Sequence, residues 1–399
     1  MPRTRLQSLV LIVTLGFLNA LTPFTIDMYL PAFPAIARDL GVPVSEMALT
    51  VSIYFIGYAL GQLFYGPLLD RFGRKRPLYA GIGLYCLATL GCFYAQSLPA
   101  LLFFRFLSAC GGCSASVGAT AMVRDFFPAK DAAKIFSMLM LVLSASPLLA
   151  PTAGSFVVAY FNWRTIFAIL LAMGLFDILL VAFVLPRGAE PDHTVVLRLA
   201  PVWRGFREIL RVRQFTIYAF AGALSFTGLF VYVASSPAIF LEGFHVSTGL
   251  YGAIFALLAS GMIGGGQLNH LLARRFDGRR VFRHALAWQL LFACGFLAGD
   301  LYGWNGLRAN VFFLFMILMF AGIASPNASA LALEPFSKKL GSAAAMLGFT
   351  QLSLGAVISA LVGVLRLPGS LPTAIAVTAS SATGLVILWL ARHNGARET

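Results

Sequence analysis

Long apolar runs alternate along the chain with short polar segments, and the length of the runs decides what they form. Twelve runs stand at about 6–30, 47–68, 77–96, 99–123, 134–157, 164–186, 214–239, 249–272, 281–299, 309–332, 342–365 and 370–391, each near the ~20 residues an α-helix needs to cross a ~30 Å hydrocarbon layer. A membrane β-barrel would instead show alternating segments of about 10 residues. Composition agrees: 59% of the residues are hydrophobic and 11% charged, with a mean hydropathy of +0.85. That leaves too little polar surface to cover a water-exposed globule of 399 residues, so lipid must be the solvent.

The polar segments repeat. Gly61-Gln62-Leu63, followed by Gly66-Pro67-Leu68-Leu69-Asp70-Arg71-Phe72-Gly73-Arg74-Lys75-Arg76, has a weaker copy about half the chain further on. The copy reads Gly266-Gln267-Leu268, then Leu271-Leu272-Ala273-Arg274-Arg275-Phe276-Asp277-Gly278-Arg279-Arg280. Each ends an apolar run with a basic loop and is followed by another run, the mark of a duplicated helical bundle. The expected fold is therefore an all-α membrane protein of 12 transmembrane helices in two pseudo-symmetric six-helix bundles, residues 1–187 and 214–399. Between them, 188–213 reads as a cytoplasmic linker with a basic amphipathic helix carrying Trp203, Arg204, Phe206, Arg207, Ile209 and Leu210. It either lies on the membrane surface or only tethers the halves.

The formal net charge of +14 sits on alternate short loops. With Arg3 and Arg5 inside, essentially all the excess positive charge falls on one face, which puts both termini in the cytoplasm. Charge dispersed in this way does not make a nucleic-acid surface, whatever the pI of 10.0 suggests. The first run is too long for a signal-peptide core and has no small-residue cleavage site before Pro31. Cys110-Gly-Gly-Cys113 has redox spacing but lies among Ser, Ala and Gly, the composition of tight helix packing. There is no Walker-type phosphate loop, so ATP is not expected to drive the protein. No metal, cofactor or enzymatic chemistry is read in the sequence, and a monomer is expected.

Gly66-Pro-Leu-Leu-Asp-Arg-Phe-Gly-Arg-Lys-Arg76 resembles the loop signature of the major facilitator superfamily, and the second copy stands where that family repeats it. Asp27-Met-Tyr-Leu-Pro-Ala-Phe-Pro34 resembles the Bcr/CflA branch of the 12-span drug:proton antiporters. Arg105-Phe-Leu-Ser-Ala-Cys-Gly-Gly112, followed by Val123-Arg124-Asp125, resembles the proton-coupling motif of span four. Ser146-Pro-Leu-Leu-Ala-Pro-Thr-Ala-Gly154 is similar to the antiporter motif of span five, with Ala150 and Ala153 departing from the pattern. These matches cover essentially the whole chain.

The resemblance assigns roles residue by residue. Gly66, Asp70, Arg71, Gly73 and Arg74 would form a conformational latch, the glycines permitting close backbone approach; setting topology alone is the other reading. Asp27 and Arg105 are charges inside spans, at roughly 2.5 to 3.5 kcal/mol each if unpaired. They stand at comparable height on spans that line the family's central cavity, where they would meet or share water and couple protons, or else form a static ion pair. Asp177 lies in a peripheral span, where packing or snorkelling fits better than proton carriage. Asn19 stands about two turns before Asp27, where some relatives carry a second acid; its neutrality favours neutral or zwitterionic substrates over dications. Tyr54, Phe55, Tyr58, Phe226, Phe230, Tyr232, Asn327 and Gln351 have the character of a small-molecule wall, and equally of packing or lipid-facing residues. Pro147, Pro151 and Gly154 in span five, and Pro326 in span ten, are candidate hinges.

The function expected is a proton-coupled secondary transporter that exports drugs or other small amphipathic compounds across a bacterial inner membrane by alternating access. The alternative is a carrier of one metabolite or siderophore, in either direction. A non-transporting membrane receptor or assembly protein would have no reason to keep Asp27 and Arg105 within the bilayer. The partners implied are a small-molecule substrate, protons and the lipid bilayer.

Overall fold

The computed structural model describes the backbone of residues 5–186, 188–192, 207–336, 340–365, 367 and 369–395, and their side chains except 5, 129–134, 137, 140, 141, 143, 144, 340 and 392–395. Among these residues there are helices and no strands. They are α1 (Arg5–Asp27), α2 (Phe33–Leu40), α3 (Ala48–Arg71), α4 (Lys75–Tyr94), α5 (Leu98–Phe126), α6 (Ala129–Tyr160) and α7 (Arg164–Leu179) in the first half. The second half has α8 (Arg213–Pro237), α9 (Thr248–Leu272), α10 (Gly278–Leu301), α11 (Leu307–Leu333), α12 (Leu340–Val364) and α13 (Leu371–Gly395). Eleven segments among the described residues are long and apolar enough to span a membrane; α6, at 32 residues, is the remaining long helix of the expected twelve.

The chain forms two compact units, Met1–Val42 with Ile53–Leu197 and Pro43–Ser52 with Arg198–Thr399. Most of the expected linker, including Trp203, Arg204 and Phe206, lies outside the described residues. Residues 207–211 are helical, and Ile209 is buried in the second unit's core with Phe215, Ala219, Ala332 and Leu347.

Neighbour relations repeat between the units. In the first, α1 packs on α5, α6 and α7, and α4 on α5 and α7; in the second, α8 packs on α11, α12 and α13, and α10 on α11 and α13. Lipid tails are as apolar as leucine, so helices in a membrane gain most from contacts close enough for backbone to meet backbone. Small residues supply that contact here. A Cβ at Gly57 would lie 2.6 Å from the Phe106 carbonyl oxygen, and one at Gly61 2.8 Å from the Cys113 Cβ, so the glycine pair on α3 seats α5. On α9, Gly261 and Gly265 meet the Phe315 and Met319 carbonyls of α11 in the same manner. Cys110 and Cys113 belong to this packing: both are free thiols, Cys113 is buried, and the Cys110 thiol donates to the Gly57 carbonyl at 3.4 Å.

Gly66 departs from the expectation of close approach, because a Cβ there would meet nothing within 4 Å. Gly73 does need to be glycine, since the chain turns there with φ of 77°, in the left-handed region that side chains disfavour. The contrast between Gly57 and Gly66 is testable by thermal unfolding of the purified protein. Gly57→Ala is expected to destabilise by about 1 to 3 kcal/mol, as overpacking against an immovable backbone does. Gly66→Ala should be neutral or stabilising by up to about 1 kcal/mol, the helix-propensity gain alone.

Candidate functional site

The first unit holds the intramembrane charges, and the geometry begins with a proline. Pro31 stands four residues after Asp27 and has no N–H to give its carbonyl, so α1 stops at Asp27. A short 3-10 turn, Leu30–Ala32, and α2 follow. The last carbonyls of α1 are thereby left in need of donors. The Met28 N–H donates to Phe24 O at 3.1 Å, and Arg105 Nη1 donates to Thr25 O at 3.1 Å. Arg105 thus caps the helix end, where a cation is favoured.

Its guanidinium is held between two aromatic faces, with Cζ 4.6 Å from the centroid of Tyr29 and 4.5 Å from that of Tyr54. Arg105 is wholly buried, and Nε and Nη2 have no hydrogen-bond partner among the described residues. The π faces therefore carry much of the burden of stabilising the buried charge. Tyr29 rests in turn on Phe33 and Phe167. Thr25 is a second node, with Oγ1 donating to Leu21 O at 2.6 Å and lying 2.8 Å from the Tyr85 hydroxyl. Tyr85 reaches that position because Gly111 leaves α5 open to the α4 backbone.

Asp27 is buried as well, but the structure does not pair it with Arg105: the two are not within the 4.0 Å of an ion pair. Of the arrangements expected, the direct ion pair gives way to the helix cap, because α1 ends there and its carbonyls need a donor. The Asp27 side chain has neither ion pair nor hydrogen bond among the described residues. Gly154 seats this end of α1, since a Cβ there would collide with the Met28 carbonyl. The helix α6 runs unbroken through Pro147 and Pro151. Asp177 is buried, with 2% of its surface exposed, on the face of α7 where Gly174 packs on Tyr85 and Cys86. That excludes the snorkelling reading.

The polar residues expected to line a pocket make specific bonds within their own units. Asn19 Nδ2 donates to Leu139 O at 3.3 Å, tying α1 to α6. The Tyr58 hydroxyl shares a 2.7 Å bond with Ser116 Oγ, one turn along α3 from Tyr54. In the second unit, Asn327 Nδ2 donates to Asn269 Oδ1 at 2.6 Å and to Ile323 O at 2.8 Å. Phe230 packs edge-on to Phe226 and fills the space left by Gly355. Tyr232 is buried beside Phe255, and Gln351 Nε2 is buried without a hydrogen-bond partner among the described residues. The buried Ser225–Gln289 pair, with bonds of 2.6 and 2.9 Å, is a further polar contact that apolar periodicity does not signal.

The loop charges form a cluster that includes a residue the latch reading omitted. Arg74 Nη1 donates to Asp70 at 2.6 Å, while Nε and Nη2 form a fork on Asp125 at 2.7 and 3.1 Å. These carboxylates, Asp125 foremost, push the Arg74 pKa above its ordinary value. Asp125 also accepts the Ala189 N–H at 3.1 Å, and the Asp192 N–H donates to Asp70 O at 2.9 Å. Residues 188–192 are thus bound to the loop, with Pro191 against Gly73. Arg71 lies over its neighbour Phe72, 5.8 Å from the ring centroid. In the second copy the counterparts are Arg279 and Glu334, 3.8 Å apart and both more than half exposed, while Asp277 caps α10 through the Arg279 N–H at 3.2 Å. An acid among the basic residues at a helix end, Asp125 after Arg124 at the end of α5 and Glu334 just past α11, is the sequence signal for these two positions.

An array of long apolar helices in two like-built units, with a buried arginine capping a helix end inside it and ion pairs in the loops, defines a multi-pass membrane protein. The Major Facilitator Superfamily model matches residues 15–360, and the chain belongs to that family. It is 30% identical over 371 residues to a Bicyclomycin resistance protein homolog of Haemophilus influenzae, with 92% of each chain covered. It is also 30% identical to Multidrug resistance protein MdtL of Klebsiella pneumoniae, with 86% of each covered. The fold is shared with a D-xylose-proton symporter, with a TM-score of 0.72 at 16% identity over 96% of this chain and 97% of that one. A bacterial homolog of the lysosomal transporter Spinster gives 0.71 at 16% identity, over 98% and 96%.

Two predictions follow from this geometry. The Asp70 side chain is 55% exposed whereas that of Asp125 is 14% exposed, so Asp70→Asn is expected to cost within the ~0–1 kcal/mol of a surface pair. Asp125→Asn, which breaks a fork and a backbone bond, should cost about 1 to 3 kcal/mol. Asp277→Asn should have the least effect on turnover, and turnover measured beside thermal unfolding for the three variants checks the order. At Arg105, lysine keeps the charge but loses the planar stacking surface. Arg105→Lys should therefore lower the melting temperature, whereas Tyr54→Phe, which retains the ring face, should leave it nearly unchanged.

Proposed function

We propose that the chain exports small amphipathic compounds across a bacterial inner membrane in exchange for protons, by alternating access, with both termini in the cytoplasm. The observation that carries this reading is Asp27, a buried carboxyl at the broken end of α1 with no ion pair or hydrogen bond among the described residues. A carboxylate without a partner is costly inside the bilayer, so its protonation and its access to water are coupled. A transporter that exposes the group first to one side and then to the other carries a proton each cycle. The relatives named for bicyclomycin and multidrug resistance support drugs as the substrate class, and the basic loops support the orientation. In this reading Arg105 positions Asp27 by fixing the end of α1, and the Arg74 cluster biases the balance of states. Asn19, Tyr54, Tyr58, Phe230, Tyr232, Asn327 and Gln351 remain the proposed substrate wall, and Pro147, Pro151 and Gly154 the proposed hinge.

The test is bicyclomycin transport in vesicles, for wild type and Asp27→Asn. The variant is expected to lose efflux driven by a pH gradient while keeping substrate exchange, which needs no net proton movement. Undiminished pH-driven efflux would overturn the proton role. Loss of both activities in a folded protein would move Asp27 from proton coupling to substrate binding.

A further inference from the structure

The second unit contains an open cavity of about 740 Å³ at the end where α8 and α10 begin and α13 finishes. Arg213, Arg279 and Arg283 give it a cationic rim, and Tyr218, Leu388 and Trp389 contribute to its wall. No carboxylate lines it among the described residues. Two acids stand near it: Asp277, whose carboxylate accepts the Arg279 N–H at 3.2 Å, and Glu334, 3.8 Å from Arg279 and already accepting a 2.6 Å hydrogen bond from Gln214. Arg213 Nη2 donates to Ala391 O at 3.4 Å, which ties α8 to the end of α13. Arg283 is exposed and has no ion pair among the described residues. Trp389 is 61% exposed beside the rim, as aromatic residues at a membrane–water interface are.

The cavity is thus amphipathic, with guanidinium groups at one side and apolar wall at the other. The equivalent loop in the first unit has no such surplus, because Arg74 is held by both Asp70 and Asp125. In the second copy the Asp70 position is occupied by arginine, and Arg279 keeps one distant, exposed partner. Topology alone would be satisfied by basic residues anywhere on that loop; it does not require Arg279 and Arg283 to meet Arg213 of α8 around a cavity with an apolar wall.

We propose that this cavity binds one anionic phospholipid, with its phosphate between Arg279 and Arg283 and an acyl chain along Leu388 and Trp389. A small anion would leave the wall without a partner. A zwitterionic lipid would bring its own cation against the arginines. Basic pockets between transmembrane helices at the interface select anionic headgroups for this reason.

The experiment is native mass spectrometry of the full chain, delipidated in detergent and titrated with phosphatidylglycerol or phosphatidylcholine of identical acyl chains. Wild type should retain phosphatidylglycerol preferentially. At roughly fivefold per arginine, Arg279→Gln with Arg283→Gln should weaken it about 25-fold, while phosphatidylcholine binding is unchanged. Leu388→Ser probes the wall separately and should weaken phosphatidylglycerol several-fold. Equal retention of the two lipids by wild type would overturn the proposal, as would undiminished phosphatidylglycerol binding in the arginine variant. Displacement of phosphatidylglycerol by millimolar inorganic phosphate would show a free-anion site and overturn it too. Gel filtration and thermal unfolding verify that each variant is folded; if the double variant is not, Arg283→Gln alone should still show its fivefold loss.

Discussion

Inside a bilayer no water is at hand to satisfy a buried donor or acceptor, and each unmet group costs several kcal/mol. That constraint organises the first unit around the end of α1. Pro31 removes a donor that α1 would need to continue past Asp27, the helix stops, and the freed Thr25 carbonyl must be satisfied by the protein. Arg105 supplies the N–H, and Tyr29 and Tyr54 face the charge that comes with it. The location of Asp27 follows: it is the last residue of a helix whose end is pinned by Arg105 from α5 and seated against Gly154 of α6.

The same economy of space explains why the two units resemble one another. Glycines on α3 and on α9 bring backbone against backbone, on α5 and α11 respectively. With no hydrophobic gain from leaving lipid, dispersion over such close surfaces is the main attraction available. Duplication of a half-chain therefore preserves the small residues at the helix crossings. The loops carry no such packing obligation and have diverged. Arg74 has two carboxylates, one of them with its side chain shielded beside it; Arg279 has one, exposed and more distant. The basic character is common to both copies because insertion reads it, whereas the ion-pair geometry is confined to the first.

Much of this was legible along the chain. Run lengths near that of a membrane-crossing helix, the repeated Gly-Gln-Leu and basic loops, and the alternation of charge indicate a duplicated helical membrane protein. Four motifs at the expected spans point to the superfamily to which it belongs. The signals are strong because lipid solvation and insertion act on one-dimensional properties: hydropathy over about 20 residues and the charge of the next loop. Small-residue packing around Cys110 and Cys113 was readable for a similar reason, since composition limits how closely helices approach.

Pairing was not legible, and tertiary structure decided it. Asp27 and Arg105 stand at matching heights in the sequence, yet Arg105 turns to the Thr25 carbonyl and two tyrosine rings. Gly66 and Gly73 occupy one motif, yet only Gly73 has a backbone that requires glycine. Asp125 and residues 188–192 complete the Arg74 cluster from segments far along the chain. The physical reason is common to all three. Hydropathy and charge are summed along the chain, but a hydrogen bond or a cation–π contact depends on direction within about an ångström. That direction is set only when helices from different parts of the sequence are packed together.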